Sequence, residues 1–137
     1  MDTLSITASV IAVLRLTGAV IAYLNDVKEA PKECQQCTIE ACNLQSLLTS
    51  LRYRLEQARP GDPWFTAARA LGVENGPLDQ YKQALEQLRS KVDDNGALKK
   101  IKRTLAWKFS KVEVAGILGR MERLKSLVSI ALEGDHL

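Results

Sequence analysis

Histidine is nearly absent from this chain of 137 residues: the single copy, His136, lies at the C-terminal tip. A Ser-His-acid set therefore cannot be assembled, and the sequence also contains no glycine-rich phosphate loop and no cluster of metal ligands. These absences argue against catalysis. We expect a protein that is not an enzyme, with no cofactor, no bound metal and no small-molecule substrate.

Proline and glycine are scarce as well. Most of the four prolines and eight glycines fall at 60–63, 72–77 and 95–96, so turn signals divide the chain into long helical stretches. No stretch alternates apolar and polar residues with a period of two, as a half-buried strand would. With 46% hydrophobic residues over this length, we expect one domain at 1–134 and a short tail at 135–137.

The three cysteines, Cys34, Cys37 and Cys42, lie within nine residues of each other. An odd number in so tight a cluster argues against a secreted disulfide framework and favours a reducing cytosol. The spacing of Cys34 and Cys37 invites a zinc or redox interpretation, but a structural zinc site requires four ligands. Because both also fall on the apolar side of a predicted helix, we favour core packing. A regulator that responds to a metal or a small molecule through these cysteines is one possible function, and it is weaker than the two functional classes given at the end of this subsection.

Cap and break signals place the helices. Asp62 before Pro63 predicts the start of a short helix, and Ser110 with Glu113 forms a capping box before the last one. Pro31 separates the first long helix from the second. The predicted helices cover about 3–28, 31–58, 63–72, 77–92, 98–105 and 110–131. Their apolar positions recur at steps of three and four, which predicts an all-α antiparallel bundle of four long helices and one or two short ones.

The longest apolar run, "LSITASVIAVLRLTGAVIAYL" at 4–24, carries Arg15 near its middle. Being apolar almost all round, it is expected to form the central helix of the bundle. It is also long enough to cross a bilayer. Its ten strongly apolar residues favour insertion by roughly 3 to 6 kcal/mol, and a central arginine costs about 2.5 to 3.5 kcal/mol, so the balance is marginal. The ten are Leu4, Ile6, Val10, Ile11, Val13, Leu14, Leu16, Val20, Ile21 and Leu24.

A secretory signal peptide does not fit this run. Only Met1, Asp2 and Thr3 precede it, so the positively charged n-region is missing, and no small-residue cleavage site is evident. We expect the segment to be retained.

A local basic run explains the net charge of +3. Residues 95–111 contain six basic residues and no acidic one, whereas 1–60 are balanced. The run is a solvated face, a nucleic-acid contact or a contact for anionic lipid. Nucleic acid is disfavoured because no reader motif accompanies the run, and aromatic residues beside the lysines favour lipid. The candidate headgroup contacts are Lys99, Lys100, Lys102, Arg103, Trp107 and Lys108.

Four segments in this order resemble the N-terminal helical domain of fungal NLR-like (STAND) proteins. They are "LSITASVIAVLRLTGAVIAYLNDVKEAPKECQQC", "NLQSLLTSLRYRLEQA", "DPWFTAARALGVENGPLDQYKQALEQL" and "LAWKFSKVEVAGILGRMERLKSLVSIALEGDH". The likeness covers almost the whole chain. The domain that it resembles belongs, or is close, to the HeLo-like group of cell-death domains. In that family the domain precedes a NACHT or related nucleotide-binding module and ankyrin or other repeats.

The resemblance implies a mechanism of programmed cell death in innate immunity or nonself recognition. The receptor oligomerises on sensing a cue, moves from the cytoplasm to an anionic membrane, and permeabilises it with the N-terminal helix. The matching segment here is Leu4 to Leu24, so its ten apolar side chains are the membrane-inserting candidates. The alternative is a helical assembly module that recruits another protein and never touches lipid.

Overall fold

The computed structural model describes residues 3–59, 61–96 and 107–134, and most of these residues are in helices. The elements are α1 (Thr3–Asn25), α2 (Lys32–Gln57), α3 (Pro63–Arg69) followed by a 3₁₀ turn (Ala70–Gly72), α4 (Pro77–Gly96) and α5 (Lys111–Gly134). The predicted all-α bundle of four long helices and one or two short ones is confirmed, with the N-terminal apolar helix in contact with both α2 and α4. The basic helix expected near 98–105 and the tail at 135–137 lie outside the described residues.

The first helix is shorter than predicted, ending at Asn25 rather than Lys28. The amides of Asp26 and Val27 each bond to the carbonyl three residues earlier, at 3.1 and 3.3 Å, which is the pattern of a tightened last turn. Glu29 then adopts a φ of 52°, in the left-handed region that no right-handed helix uses. This turn sends the chain back along α1 into α2.

Both predicted capping signals are present. The Asp62 carboxylate accepts a hydrogen bond from the Trp64 amide at 3.0 Å, with Pro63 as the first residue of α3. At the start of α5, the Ser110 amide donates to Glu113 Oε1 at 2.9 Å and the Glu113 amide donates to Ser110 Oγ at 3.2 Å. Each bond satisfies an amide that has no partner within its helix.

The four long helices pack in the ring order α1, α2, α5, α4. α1 packs against α2 and α4, and α5 packs against the same two helices, so α1 and α5 occupy diagonally opposite corners. The N-terminal helix thus lies between two amphipathic neighbours. α3 lies in the connection between α2 and α4, which form the other diagonal pair, and it contacts α1 and α5.

The core is mostly aliphatic and continuous across all four long helices. In α2 the predicted apolar side is buried, and its two N-terminal members are cysteines. The buried residues of α2 are Cys34, Cys37, Ala41, Leu44, Leu48, Leu51 and Leu55. The buried residues of α5 are Val114, Ile117, Met121, Leu124, Val128 and Ala131.

A polar cluster joins α2, α3 and α5. The Arg54 guanidinium donates to Asp62 Oδ2 at 3.0 Å and lies 4.2 Å from the centroid of the Trp64 ring. The indole nitrogen of Trp64 donates to the carbonyl of Ala131 in α5 at 2.7 Å. Three helices are therefore fixed through one indole ring.

Candidate membrane-active helix

One helix in the described part of the chain is long and apolar enough to cross a membrane by length and composition. It is Ser5–Asn25 of α1, with a mean hydropathy of 1.8. The core helix of a water-soluble protein can pass the same test, but such a helix is mostly buried. Here only 28% of the apolar window is buried within the protein.

The membrane-inserting candidates divide into two groups by burial. Ile6, Val10, Val13, Val20 and Leu24 form the buried face of α1. Ile11, Leu14, Leu16 and Ile21 are only partly buried, and the side chain of Leu4 lies outside the described residues. Insertion would therefore require the first group to leave the core.

The outward face of α1 is made of small apolar residues. Ala8, Ala12 and Ala22 are exposed together with Arg15, the only charged residue of the helix. Among the described residues, Arg15 has no ion-pair or hydrogen-bond partner. The outward face of α2 is polar by comparison, with Gln35, Gln36, Gln45, Arg52 and Glu56 exposed. α1 is thus apolar on both sides and covered on only one.

One pair of buried hydroxyls joins α1 to α4. Thr17 Oγ1 and Tyr81 Oη lie 2.8 Å apart, and both residues are 0% exposed. Thr17 Oγ1 also lies 2.8 Å from the carbonyl of Val13, to which it donates its proton, so the Tyr81 hydroxyl is the donor to Thr17. Burial raises the pKa of Tyr81 to about 12, with the nearby Cys42 adding to it and the Thr17 bond opposing it. The tyrosine therefore stays protonated and keeps its donor.

Apolar burial is the main attachment of α1. Each fully buried aliphatic side chain is worth about 1.5 to 3 kcal/mol, so its five buried candidates contribute on the order of 10 kcal/mol before the loss of entropy is counted. The balance for insertion into lipid is only a few kcal/mol in favour at best. A single copy should therefore keep α1 in the bundle unless another interaction contributes to its release.

The lipid-headgroup candidates are only partly within the described residues. Lys99, Lys100, Lys102 and Arg103 lie outside them, and Lys108 is exposed. Trp107 is partly buried against the core beside Phe109, with ring centroids 4.7 Å apart. Its indole nitrogen is the one buried side-chain nitrogen or oxygen without a hydrogen-bond partner in the described part of the chain. Trp107 therefore contacts the core while part of its side chain remains accessible.

Two features of this site were not identified from the sequence. Ala8, Ala12 and Ala22 were omitted because only large apolar residues were counted, although their helical spacing with Arg15 marks a single face. Arg120 and Arg123, exposed on α5, extend the basic character beyond the run at 95–111. They were missed because acidic residues are interspersed among them in the sequence.

The cysteines are placed as predicted for core packing. Cys34 and Cys37 are fully buried, and Cys42 is exposed. Burial raises the pKa of the Cys34 thiol. Burial, and then the neighbouring Cys34 and Glu33, raise the pKa of Cys37 to about 12. Since the thiolate is the reactive form, both thiols are poor nucleophiles in this fold. Within the described residues, no group of three or more His, Cys, Asp or Glu side chains is arranged to hold a metal ion.

Comparison of the chain with models of protein families, with curated proteins and with solved structures gives no significant match.

Proposed function

We propose that this domain is a cell-death execution module of the kind found at the N-terminus of fungal NLR-like receptors. In this proposal it is held in the cytoplasm as a bundle, self-associates on activation, and permeabilises an anionic membrane through α1. The observation that carries the proposal is the uncovered apolar face of a helix that is long enough to span a bilayer.

The burial pattern supports a conditional role for α1. The helix is held by aliphatic burial and by a buried hydroxyl pair, and it has no ion pair with other described residues. Aliphatic side chains are equally well accommodated by a protein core and by lipid, so the same residues serve both states. Thr17 keeps its bond to the Val13 carbonyl inside the helix and brings no unpaired donor into lipid.

Assembly supplies the contribution that a single copy lacks. Arg15 opposes insertion of an isolated helix, whereas several helices together could turn their arginines towards a water-filled pore. The basic residues at 99–108 would hold the assembled domain on anionic lipid, at about 1 kcal/mol for each cation near the surface. The free energies of burial in the core and of insertion into lipid therefore keep α1 in the bundle of a monomer and allow its insertion from an oligomer.

The second candidate is an assembly module without membrane activity. The five buried aliphatic residues of α1 favour it, because they make the helix an integral part of the core. In that case the open face of α1 contacts protein only.

Dye release from vesicles containing anionic lipid separates the two functions. The purified monomer is compared with the same domain fused to an oligomerising scaffold, and both are checked for helicity by circular dichroism. We expect release by the fused form only. If neither form releases dye while both are folded, the assembly module is the function.

A pair of exposed substitutions tests whether α1 is the active segment. Ala8→Glu with Ala12→Glu adds two charges to the open face, at positions whose exposure should leave the fold intact. Each charge at membrane depth costs about 2.5 to 3.5 kcal/mol, so release by the fused domain should be lost. The matched control is Gln36→Glu with Ser50→Glu, which adds the same charges to the exposed side of α2 and should leave release unchanged.

A further inference from the structure

A shallow groove of about 540 Å³ runs between α2 and α5. Small and aliphatic side chains form most of its surface, which lets another helix approach closely. Its lining includes Ser46 and Leu47 from α2, and Ser126, Ser129, Ile130 and Glu133 from α5. Ile130 is 63% exposed and places an aliphatic side chain at the surface of the groove.

Among the described residues, one acidic group of the groove has no cationic partner. Lys125 lies at the groove and pairs with Glu40 and Glu122, each at 2.9 Å. Glu133 is exposed and makes no ion pair within the described residues. The groove therefore offers a carboxylate to an incoming cation.

The open face of α1 has the complementary character. It presents Ala8, Ala12 and Ala22 around Arg15, which makes no ion pair with another described residue. At a rise of 1.5 Å per residue, the part of α5 that lines the groove, 125–133, is about 12 Å long, and the two turns of α1 from Ala8 to Arg15 are about 10 Å long.

These two surfaces cannot meet within one molecule. α1 lies diagonally opposite α5, so its open face points away from the groove between α2 and α5. A contact between them must join two copies, and because it uses different surfaces on each copy it is heterologous. Such a contact repeats from copy to copy and closes into a ring or continues as a filament.

We propose that the open face of α1 in one copy docks into the α2/α5 groove of a second copy, with Arg15 facing Glu133. The inference rests on the self-association in the proposed function and names its contact. Docking and insertion use the same face of α1, so in any one copy that face must leave the groove before it enters lipid.

Cross-linking of mixed copies tests the geometry. In a Cys42→Ser background, where the two remaining native cysteines are buried, one copy carries Ala12→Cys and another carries Ser129→Cys. A short thiol-to-thiol reagent should join the mixture into dimers and should join neither copy alone. A chain that carries both substitutions should give a ladder of higher species. Cross-linking of the Ala12→Cys copy with itself, or none in the mixture, would overturn the proposal.

Charge exchange tests the pair. Arg15→Glu and Glu133→Arg should each weaken self-association, measured by sedimentation, at least about tenfold. The chain with both changes should recover it, because each contact again joins opposite charges. Arg120→Glu, an exposed change of the same charge on α5 outside the groove, should have no effect. A doubly exchanged chain that associates no better than the weaker single variant would contradict the pairing.

Failure of this contact and failure of the proposed function give different results. Dye release by the scaffold fusion without cross-linking of the mixture would overturn the contact alone. Cross-linking without dye release would support the contact and reject membrane activity. Protection of the Ala12→Cys thiol from a water-soluble maleimide by vesicles, without cross-linking in solution, would assign the open face to lipid and overturn docking.

Discussion

The hydroxyls of Thr17 and Tyr81 meet at 2.8 Å in an otherwise aliphatic contact between α1 and α4. Among the described residues, Thr17 is the only serine, threonine, amide-bearing or charged residue that is fully buried. Aliphatic surfaces can slide past one another at little cost, whereas a buried hydrogen bond is lost when the register changes. The pair therefore fixes the position of α1 along α4.

Thr17→Val should destabilise the domain more than Tyr81→Phe. The first leaves a buried tyrosine hydroxyl without an acceptor and should cost about 1 to 3 kcal/mol, and the second leaves Thr17 bonded to Val13 and should cost about 1 kcal/mol. The double variant should lose less than the sum of the two, as measured by urea unfolding. Thr49→Val is the control, since the exposed Thr49 makes the same bond to the carbonyl four residues earlier, at 2.7 Å. Equal losses from Thr17→Val and Thr49→Val would contradict the role of the pair.

The two tryptophans should respond differently to replacement by phenylalanine. Trp64→Phe removes a 2.7 Å hydrogen bond to the Ala131 carbonyl, whereas the indole nitrogen of Trp107 is buried without a partner among the described residues. Trp64→Phe should therefore lower the free energy of unfolding by about 1 to 3 kcal/mol more than Trp107→Phe. Thermal and urea unfolding of the two variants measure the difference. Similar losses would mean that ring packing, and not the hydrogen bond, dominates at Trp64.

Asp62 should make stability sensitive to acid. The hydrogen bond from Arg54, followed by that from the Trp64 amide, lowers the pKa of Asp62. A lowered pKa stabilises the fold above the unfolded-state value near 4, and this stabilisation is lost as the pH falls through the folded-state value. Asp62→Asn keeps a capping side chain but not the charge, so its melting temperature should fall less than that of the parent between pH 5 and pH 2. Parallel profiles would contradict this prediction.

Thiol labelling should report the position of α1. In the folded monomer only the exposed Cys42 should react quickly, because Cys34 and Cys37 are buried. Cys34 Sγ lies 3.9 Å from the carbonyl of Leu24 in α1, so departure of α1 uncovers it. On vesicles, a scaffold fusion carrying Cys42→Ser should therefore gain labelling at Cys34, located by peptide mass mapping. Dye release with Cys34 still protected would show that α1 stays in the bundle.

Removal of the charge on α1 should favour lipid. In the scaffold fusion, whose copies are held together without docking, Arg15→Leu removes a cost of about 2.5 to 3.5 kcal/mol for insertion and should raise vesicle binding about a hundredfold. Because Arg15 is exposed and unpaired among described residues, the free energy of unfolding should change by less than about 0.5 kcal/mol. Arg120→Leu makes the same replacement on the exposed side of α5. Equal vesicle binding by the two variants would reject α1 as the lipid-binding segment.

The sequence was sufficient where the signals are local. Helical spacing predicted the buried side of α2, including Cys34 and Cys37, and the capping residues Ser110 and Glu113 lie only three positions apart. These elements follow from steric and hydrogen-bonding preferences that act within a few residues.

The sequence was insufficient where packing decides which face of a helix is exposed and which helices are neighbours. A helix that is apolar almost all round has no polar side to mark the exterior, so the exposure of Ala8 and Ala12 could not be predicted from the spacing of apolar residues. The bond from Trp64 to Ala131 joins residues 67 positions apart. The long connection from α2 to α4 is compatible with either neighbouring or diagonal helices, so the ring order could not be predicted.

The ring order has a mechanical consequence. α5 contacts both α2 and α4, so these three helices remain linked through α5 whether or not α1 occupies its corner. If α1 left the ring, α2, α5 and α4 would still form a row of three helices, each in contact with the next. In the proposed function, α2, α4 and α5 would stay packed together while α1 leaves, and the segment 26–31 would be the hinge between them.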